Sequence, residues 1–286
     1  PLNLLRELLE GVKSRFEIER IGITGSLVHL LSSRLKLRAV DLVRAEISWV
    51  KRQISGVRNI LDLGGSSVSL IELDEQGRFK NYTTNAICAA GTGSFLDEQA
   101  ERLQISYQDL CELEQVSEPP PVAARCSVFA KSDLIHLQQE GYSRDQLWSG
   151  VCRSLCRTFL HTLLKGRTLK GLTAVVGGMS LNREVLRWLG HFYPEQIHTF
   201  PMAHLSGALG AGLLSQPASL KELDLDFEKS TRRKSYELRP PLVLKKSQYP
   251  DFKVEEEWVD ELGNEVRISF LPEEKSFSGF LGIDIG

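Results

Sequence analysis

The sequence predicts an α/β protein, and three observations predict it. Apolar runs that end in a glycine turn recur at Asp62-Leu63-Gly64-Gly65, Val176-Gly177-Gly178 and Asp284-Ile285-Gly286. Between residues 59 and 84 the apolar runs are short and separated by turn residues, the pattern of an antiparallel meander. From Gly91 to about residue 165 that pattern gives way to longer, mainly helical periodicity.

Residues 2–14 read as an amphipathic helix with Leu4, Leu5, Leu8, Leu9 and Val12 on one face. Residues 20–26 read as a short strand running into a turn, and residues 40–55 as a helix. Strands are expected at 59–63, 68–73 and 79–84, with a turn at Asp74-Glu75-Gln76-Gly77. Pro119-Pro120-Pro121 breaks the helical stretch just before Cys126. Residues 172–176 return to strand. A helix is expected over 180–189 with Ser180 as its N-cap. Residues 206–214 form a helix of small residues fit for close packing. Beyond about Gln216 the composition shifts: residues 224–246 are strongly charged and interrupted by Pro240-Pro241, and 217–275 reads as a connector. Trp258, Val266, Ile268 and Phe270 suggest a hairpin inside it. Residues 279–286 read as a new strand stopping at glycine.

Composition narrows the function classes. A hydrophobic share of 42% in 286 residues supports a sizeable core, as one large or two modest domains. A net charge of −2 offers nucleic acid no electrostatic footprint. No apolar stretch approaches the roughly 18 residues of a membrane span. Pro1-Leu2-Asn3 leads straight into a helix pattern without a signal-peptide design. Five unevenly spaced cysteines fit a reducing cytoplasm better than a disulfide framework.

Two cysteines stand in a setting that favours thiolate. Cys88 precedes the glycine-rich turn Gly91-Thr92-Gly93, which opens a helix, and Cys126 directly precedes another helical run. Helix starts expose unpaired N–H groups with partial positive charge, and a thiolate there is stabilised. An iron–sulfur cluster is one reading. The other is that they are small buried hydrophobes, since no CxxC accompanies them. Cys152 and Cys156, four apart beside Leu155 and Phe159, read as core, as does Cys111. Trp148 and Trp188 read as helix-face packing. The six histidines are scattered and suggest no chemistry. Glycine at a strand end lets backbone N–H groups approach a phosphate, and an aspartate just before it can hold Mg²⁺ through water. The turns are not a Rossmann or P-loop fingerprint.

The chain resembles the ATPase activators of 2-hydroxyacyl-CoA dehydratases and benzoyl-CoA reductases, the BadF/BadG/BcrA/BcrD family. The matching segments are Gly22-Ile23-Thr24-Gly25-Ser26, Asp62-Leu63-Gly64-Gly65, residues 85–97, Cys126-Ser127-Val128-Phe129-Ala130, Val176-Gly177-Gly178 with Asn182, and Gly207-Ala208-Leu209-Gly210-Ala211. They lie in the family's order over about residues 20–215, and the segment around Cys88 is the most specific. The resemblance implies an actin-like ATPase fold of the actin, sugar-kinase and Hsp70 superfamily (ribonuclease H-like). It implies Asp62 as the catalytic, Mg²⁺-associated acid, with Gly64, Gly65, Gly91, Thr92, Gly93, Gly177, Gly178 and Asn182 around ATP or ADP. It implies Cys88 and Cys126 as ligands of one [4Fe–4S] cluster shared across a two-fold axis, four thiolates from two protomers or from two tandem repeats. Its partner is a dehydratase or reductase that receives a low-potential electron.

The pattern also departs from the family. The family's first phosphate turn is missing at the start; a matching turn, Gly282-Ile283-Asp284-Ile285-Gly286, stands at the end. The expected organisation is therefore the remainder of a first subdomain (1–56), a second subdomain with the cluster helices (57–216), a connector (217–275) and the first strand of a following repeat (276–286). Completion of the site by Asp284 through permutation is the alternative. Ser66, Ser67 and Ser69 stand where the family has amide, acidic and basic residues, and Lys131 where it often has an acid. Three functions compete: an ATP-driven electron-transfer activator, a non-hydrolytic structural or cluster-carrying repeat, and a small-molecule kinase of the same superfamily.

Overall fold

The structure, a computed structural model, describes residues 2–26, 28–85, 92–106, 108–123, 127–194, 196–223, 256–259, 261, 263 and 265–268. The chain divides into two compact units, residues 1–231 and 232–286. In chain order the elements of the first are α1 (Leu2–Lys13), β1 (Arg20–Ile21), α2 (Val28–Leu35), α3 (Leu42–Gln53), β2 (Asn59–Leu63), β3 (Val68–Leu73), β4 (Phe79–Thr84), α4 (Gly93–Arg102), α5 (Ser127–Gln139), α6 (Arg144–Leu164), β5 (Thr173–Val176), α7 (Arg183–Phe192), β6 (Ile197–His198), α8 (Ser206–Leu213) and β7 (Gln216–Pro217). The second unit holds β8 (Glu256–Val259) and β9 (Glu265–Ile268), the expected hairpin, with Trp258 opposite Val266. Phe270, most of the connector and the final run with Asp284 lie outside the described residues.

The sheet of the first unit has the order β4-β3-β2-β5-β6. The expected meander is there: β2, β3 and β4 pair antiparallel, while β5 pairs parallel with β2 and β6 parallel with β5. In the parallel register Asp62 stands opposite Val176. Both strands thus end together, and their glycine turns come side by side although more than 110 residues separate them in sequence.

Helices cover both faces of the sheet. Leu61, Leu63 and Leu70 face Phe95 of α4, Leu155 and Phe159 of α6 and Trp188 of α7. Ile60, Ile71 and Val176 face Val50 of α3, with Val43 and Ile47 beside it. Strand residues alternate sides, so Asp62 shares the α3 face with Ile60. Helix α6 is long because both ends are defined. Ser143 and Gln146 form a reciprocal capping box at its start, and Lys165 closes it in the left-handed region at φ 49°. Cys152 and Cys156 are fully buried within it, as the apolar spacing predicts, and Trp148 and Trp188 are buried too.

Helix α8 packs its small residues on α3. A Cβ at Gly210 would strike the Ala45 carbonyl, and one at Gly22 would strike the Ala211 carbonyl, so glycine permits both approaches. Helix α1 uses only part of its expected face: Leu5 and Leu9 pack around Leu35, whereas Leu4 and Leu8 stay 60% exposed. The helix predicted from Ser180 begins instead at Arg183. Asn182 caps it, its Oδ1 accepting from Glu184 N at 3.0 Å and Val185 N at 3.1 Å. Ser180 lies in a 3-10 turn, and its hydroxyl donates back to the Gly177 carbonyl at 2.7 Å. The 3-10 turn over Gly178–Leu181 carries Ser180 before the helix, so Asn182 stands at the cap position. No helix among the described residues is long and apolar enough to cross a membrane.

Candidate functional site

The site grows from the paired ends of β2 and β5. Gly177 sits at φ 82°, and a Cβ there would lie 2.5 Å from Asp62 Oδ1 and 2.6 Å from the Leu63 carbonyl. Only glycine satisfies both the backbone angle and the contact. The next glycine of each turn does the opposite. A Cβ on Gly65 or Gly178 would meet nothing within 4 Å, so bare backbone faces open space.

A third segment joins these two. The Gly93 N–H donates to the Gly64 carbonyl at 3.0 Å, and the Ser94 N–H donates to the Gly65 carbonyl at 2.8 Å. The contact is close: a Cβ on Gly93 would stand 3.1 Å from Gly65 Cα. This corrects the expectation of free donors at the start of α4, because the Gly64-Gly65 turn has taken two of them. Thr92 is buried with its hydroxyl 3.0 Å from Ser94 Oγ. Gly91 lies outside the described residues.

Gly65, Gly93, Gly178 and Asn182 together line a cavity of about 550 Å³. Its other walls are mainly apolar, formed by Leu96, Ala100, Leu110, Trp148, Met179 and Leu181, with Asp97 and Arg183 supplying charge. A mostly apolar concavity of this size with a few polar groups suits a compact heteroaromatic ligand. The sequence motifs announced the glycines but not the apolar walls, whose residues read as ordinary helix faces.

On the α3 face of the sheet, at the end of β2, two carboxylates stand close enough to interact. Burial pushes the Asp62 carboxyl up to about 6. Glu46 of α3 is 4% exposed and is pushed to about 9, chiefly by burial and then by the charges of Asp62 and Asp41. Neither carboxylate accepts a hydrogen bond from the described residues. Two like charges in a low-dielectric setting fit a divalent cation, which Mg²⁺ chemistry accepts from one or two carboxylates plus phosphate oxygens. Glu46 escaped the sequence reading. Its signal was there: with Val43, Ile47 and Val50 it occupies the apolar stripe of α3, an acid where leucine would be ordinary.

Cys88 and Cys126 lie outside the described residues, and so does the side chain of Cys111. Cys152 and Cys156 are poor ligands: burial raises both thiols far above the ordinary range. Among the described residues no three His, Cys, Asp or Glu side chains converge as a metal centre. Helix α5 starts at Ser127, and Val128 and Phe129 in its first turn are each 66% exposed.

The chain matches the sequence model of the BadF/BadG/BcrA/BcrD ATPase family over residues 45–215. It is 32% identical over 227 residues to the (R)-2-hydroxyglutaryl-CoA dehydratase activating ATPase of Acidaminococcus fermentans, covering 77% of this chain and 85% of that protein. It is 32% identical over 166 residues to the activator of lactoyl-CoA dehydratase of Anaerotignum propionicum, covering 58% of this chain and 64% of that protein, just under two thirds of its length. The activator of 2-hydroxyisocaproyl-CoA dehydratase from Clostridium difficile, solved with bound ADPNP, superposes with a TM-score of 0.65 at 25% identity, covering 75% of this chain and 80% of that one. The α/β fold is thus that of the actin-like ATPases.

Proposed function

Because the chain belongs to the BadF/BadG/BcrA/BcrD ATPase family, we propose that it is an ATP-dependent activator passing a low-potential electron to a 2-hydroxyacyl-CoA dehydratase or benzoyl-CoA reductase type enzyme in a reducing cytoplasm. The observation that carries this reading is the convergence of three sequence-distant glycine segments at one apolar cavity, with Asp62 at the end of β2 pressed against Gly177. Gly65 and Gly178 present bare backbone to the phosphates and the adenosine. Leu96, Met179 and Leu181 take the apolar body, and Asp62 with Glu46 would hold Mg²⁺. Cys88 and Cys126, with the same pair of a second copy or repeat, would hold one [4Fe–4S] cluster, whose chemistry would be one-electron transfer. The exposed Val128 and Phe129 beside Cys126 give that second copy an apolar surface to cover.

Coupling has a physical route. The two hydrogen bonds from Gly93 and Ser94 tie the start of α4 to the phosphate turn at Gly64 and Gly65. A shift of that turn with nucleotide state carries α4 with it, and α4 follows the Cys88 segment. The nucleotide gains leverage only by binding the two arrangements with different affinity.

Two measurements on the anaerobically reconstituted protein test the proposal. About two irons per chain are expected, lost in both Cys88→Ser and Cys126→Ser. Mg²⁺-dependent ATP hydrolysis is expected, abolished in Asp62→Asn. Specific iron without hydrolysis would identify a cluster-carrying repeat instead, the reading that Ser66 and Ser67 favour. Absence of specific iron sinks the cluster assignment.

A further inference from the structure

A second cavity, of about 520 Å³, opens at the opposite end of the sheet, where β2 and β5 begin. Four separate segments build it: Arg58 before β2, Glu72 on β3, Lys80 on β4, and Arg167 and Lys170 in the loop between α6 and β5. Four cationic side chains face one carboxylate, leaving a net charge of +3 in a cleft of a chain whose overall charge is −2.

The walls are held by the fold and not by the charges. Buried Asn59 donates through Nδ2 to the Lys170 carbonyl at 2.9 Å and to Thr173 Oγ1 at 3.1 Å. The Arg58 N–H donates to the Leu172 carbonyl at 2.8 Å. Glu72 is already satisfied: Arg167 Nη1 reaches both of its oxygens at 3.0 Å, and Asn81 Nδ2 donates to Oε2 at 2.7 Å. Arg58, Lys80 and Lys170 are left with no side-chain hydrogen bond or ion pair among the described residues. Like charges gathered around a concavity repel one another, and the low-dielectric wall focuses their field outward. An anion relieves that repulsion. The floor is not polar: buried Leu164, Leu169 and Leu73 form it, so the charged rim surrounds an apolar base.

We propose that this cavity is a second binding site, separate from the nucleotide cavity, for a small organic anion of at least two charges, a phosphate ester on a compact apolar body. The cationic rim takes the phosphate and the leucine floor takes the body.

The test is calorimetric titration of the whole chain with 1-naphthyl phosphate, carried out with saturating Mg-ADPNP so that the nucleotide cavity is occupied. One saturable site is expected, with a dissociation constant of about 1 mM or tighter, weakening as salt rises. The Lys80→Ala/Lys170→Ala double variant should bind about tenfold more weakly. Both lysines are exposed, and an unchanged thermal midpoint verifies that the variant is folded. Equal binding of inorganic phosphate would overturn the organic part of the assignment. Tighter binding of a poly-glutamate peptide would make the face a protein-docking surface instead. Affinity unmoved by the double substitution, no saturable binding, or binding only when ADPNP is omitted would overturn the site itself. None of these readouts depends on ATP hydrolysis or iron, so the outcome stands apart from the activator reading.

Discussion

The two ends of one sheet carry cavities of nearly equal volume, about 550 and 520 Å³, built by opposite means. At the end where β2 and β5 stop, backbone makes the site: Gly65, Gly93 and Gly178 strip away side chains. At the end where they start, side chains make it, with Arg58, Lys80, Arg167 and Lys170 reaching in from separate elements. A backbone site tolerates little change, because its atoms are shared with the sheet. A side-chain site can be retuned one charge at a time. The comparison therefore predicts large effects at the first end and small ones at the second.

The largest effect should come from the carboxylate pair. Glu46 is raised from 4.5 to about 9 and Asp62 from 3.8 to about 6. The folded chain holds these protons more tightly than the unfolded chain does. The stability they contribute is complete below about pH 4 and drains away as pH rises through the folded values. Without nucleotide and Mg²⁺, unfolding free energy should fall by on the order of 6 kcal/mol between about pH 5 and pH 9. Glu46→Gln should flatten most of that slope. Urea unfolding at a series of pH values checks both, and a slope unchanged by the substitution breaks the assignment.

Glycine substitutions compare the two ends directly. Gly177→Ala combines a left-handed backbone with a Cβ pressed against Asp62 and Leu63, and should cost about 3 kcal/mol. Gly166→Ala at the cationic end has a similar φ of 81° but no atom within 4 Å, and should cost about 1 kcal/mol. Equal costs would mean that backbone strain alone separates the sites from their surroundings. Asn182→Ala removes the cap of α7 at the rim of the cavity proposed for nucleotide. A loss of about 1 kcal/mol is expected, together with weaker nucleotide binding. The smallest effect belongs to Glu72→Gln. Its partner Arg167 is 48% exposed, so the ion pair contributes under about 1 kcal/mol. The same change removes the one carboxylate facing the cationic cavity and should tighten 1-naphthyl phosphate binding several-fold, measured by the same titration.

Much of the glycine-turn end was legible because each glycine turn follows an apolar strand, and both signals are local. The meander at 59–84 was legible for the same reason. The cap of α7 falls on Asn182 and not on Ser180, because the 3-10 turn at Gly178 moves the helix start two positions on. The pairing of the α4 start with Gly64 and Gly65 was invisible, since hydrogen bonds between distant loops leave no periodic trace. Glu46 was visible as an anomaly on an apolar stripe, yet its meaning depended on Asp62 facing the same side of the sheet.

The sequence by itself determined the strands, the helix faces and the positions where only glycine can sit, because backbone angles and hydrophobic period act over a few residues. The tertiary structure alone decided which turns meet. The parallel register of β2 and β5 brings Asp62 beside Gly177 and, at the other end, Arg58 beside Lys170. Charge and burial act through space across such meetings, so the raised carboxyls of Glu46 and Asp62 and the cationic cavity exist only in the folded chain.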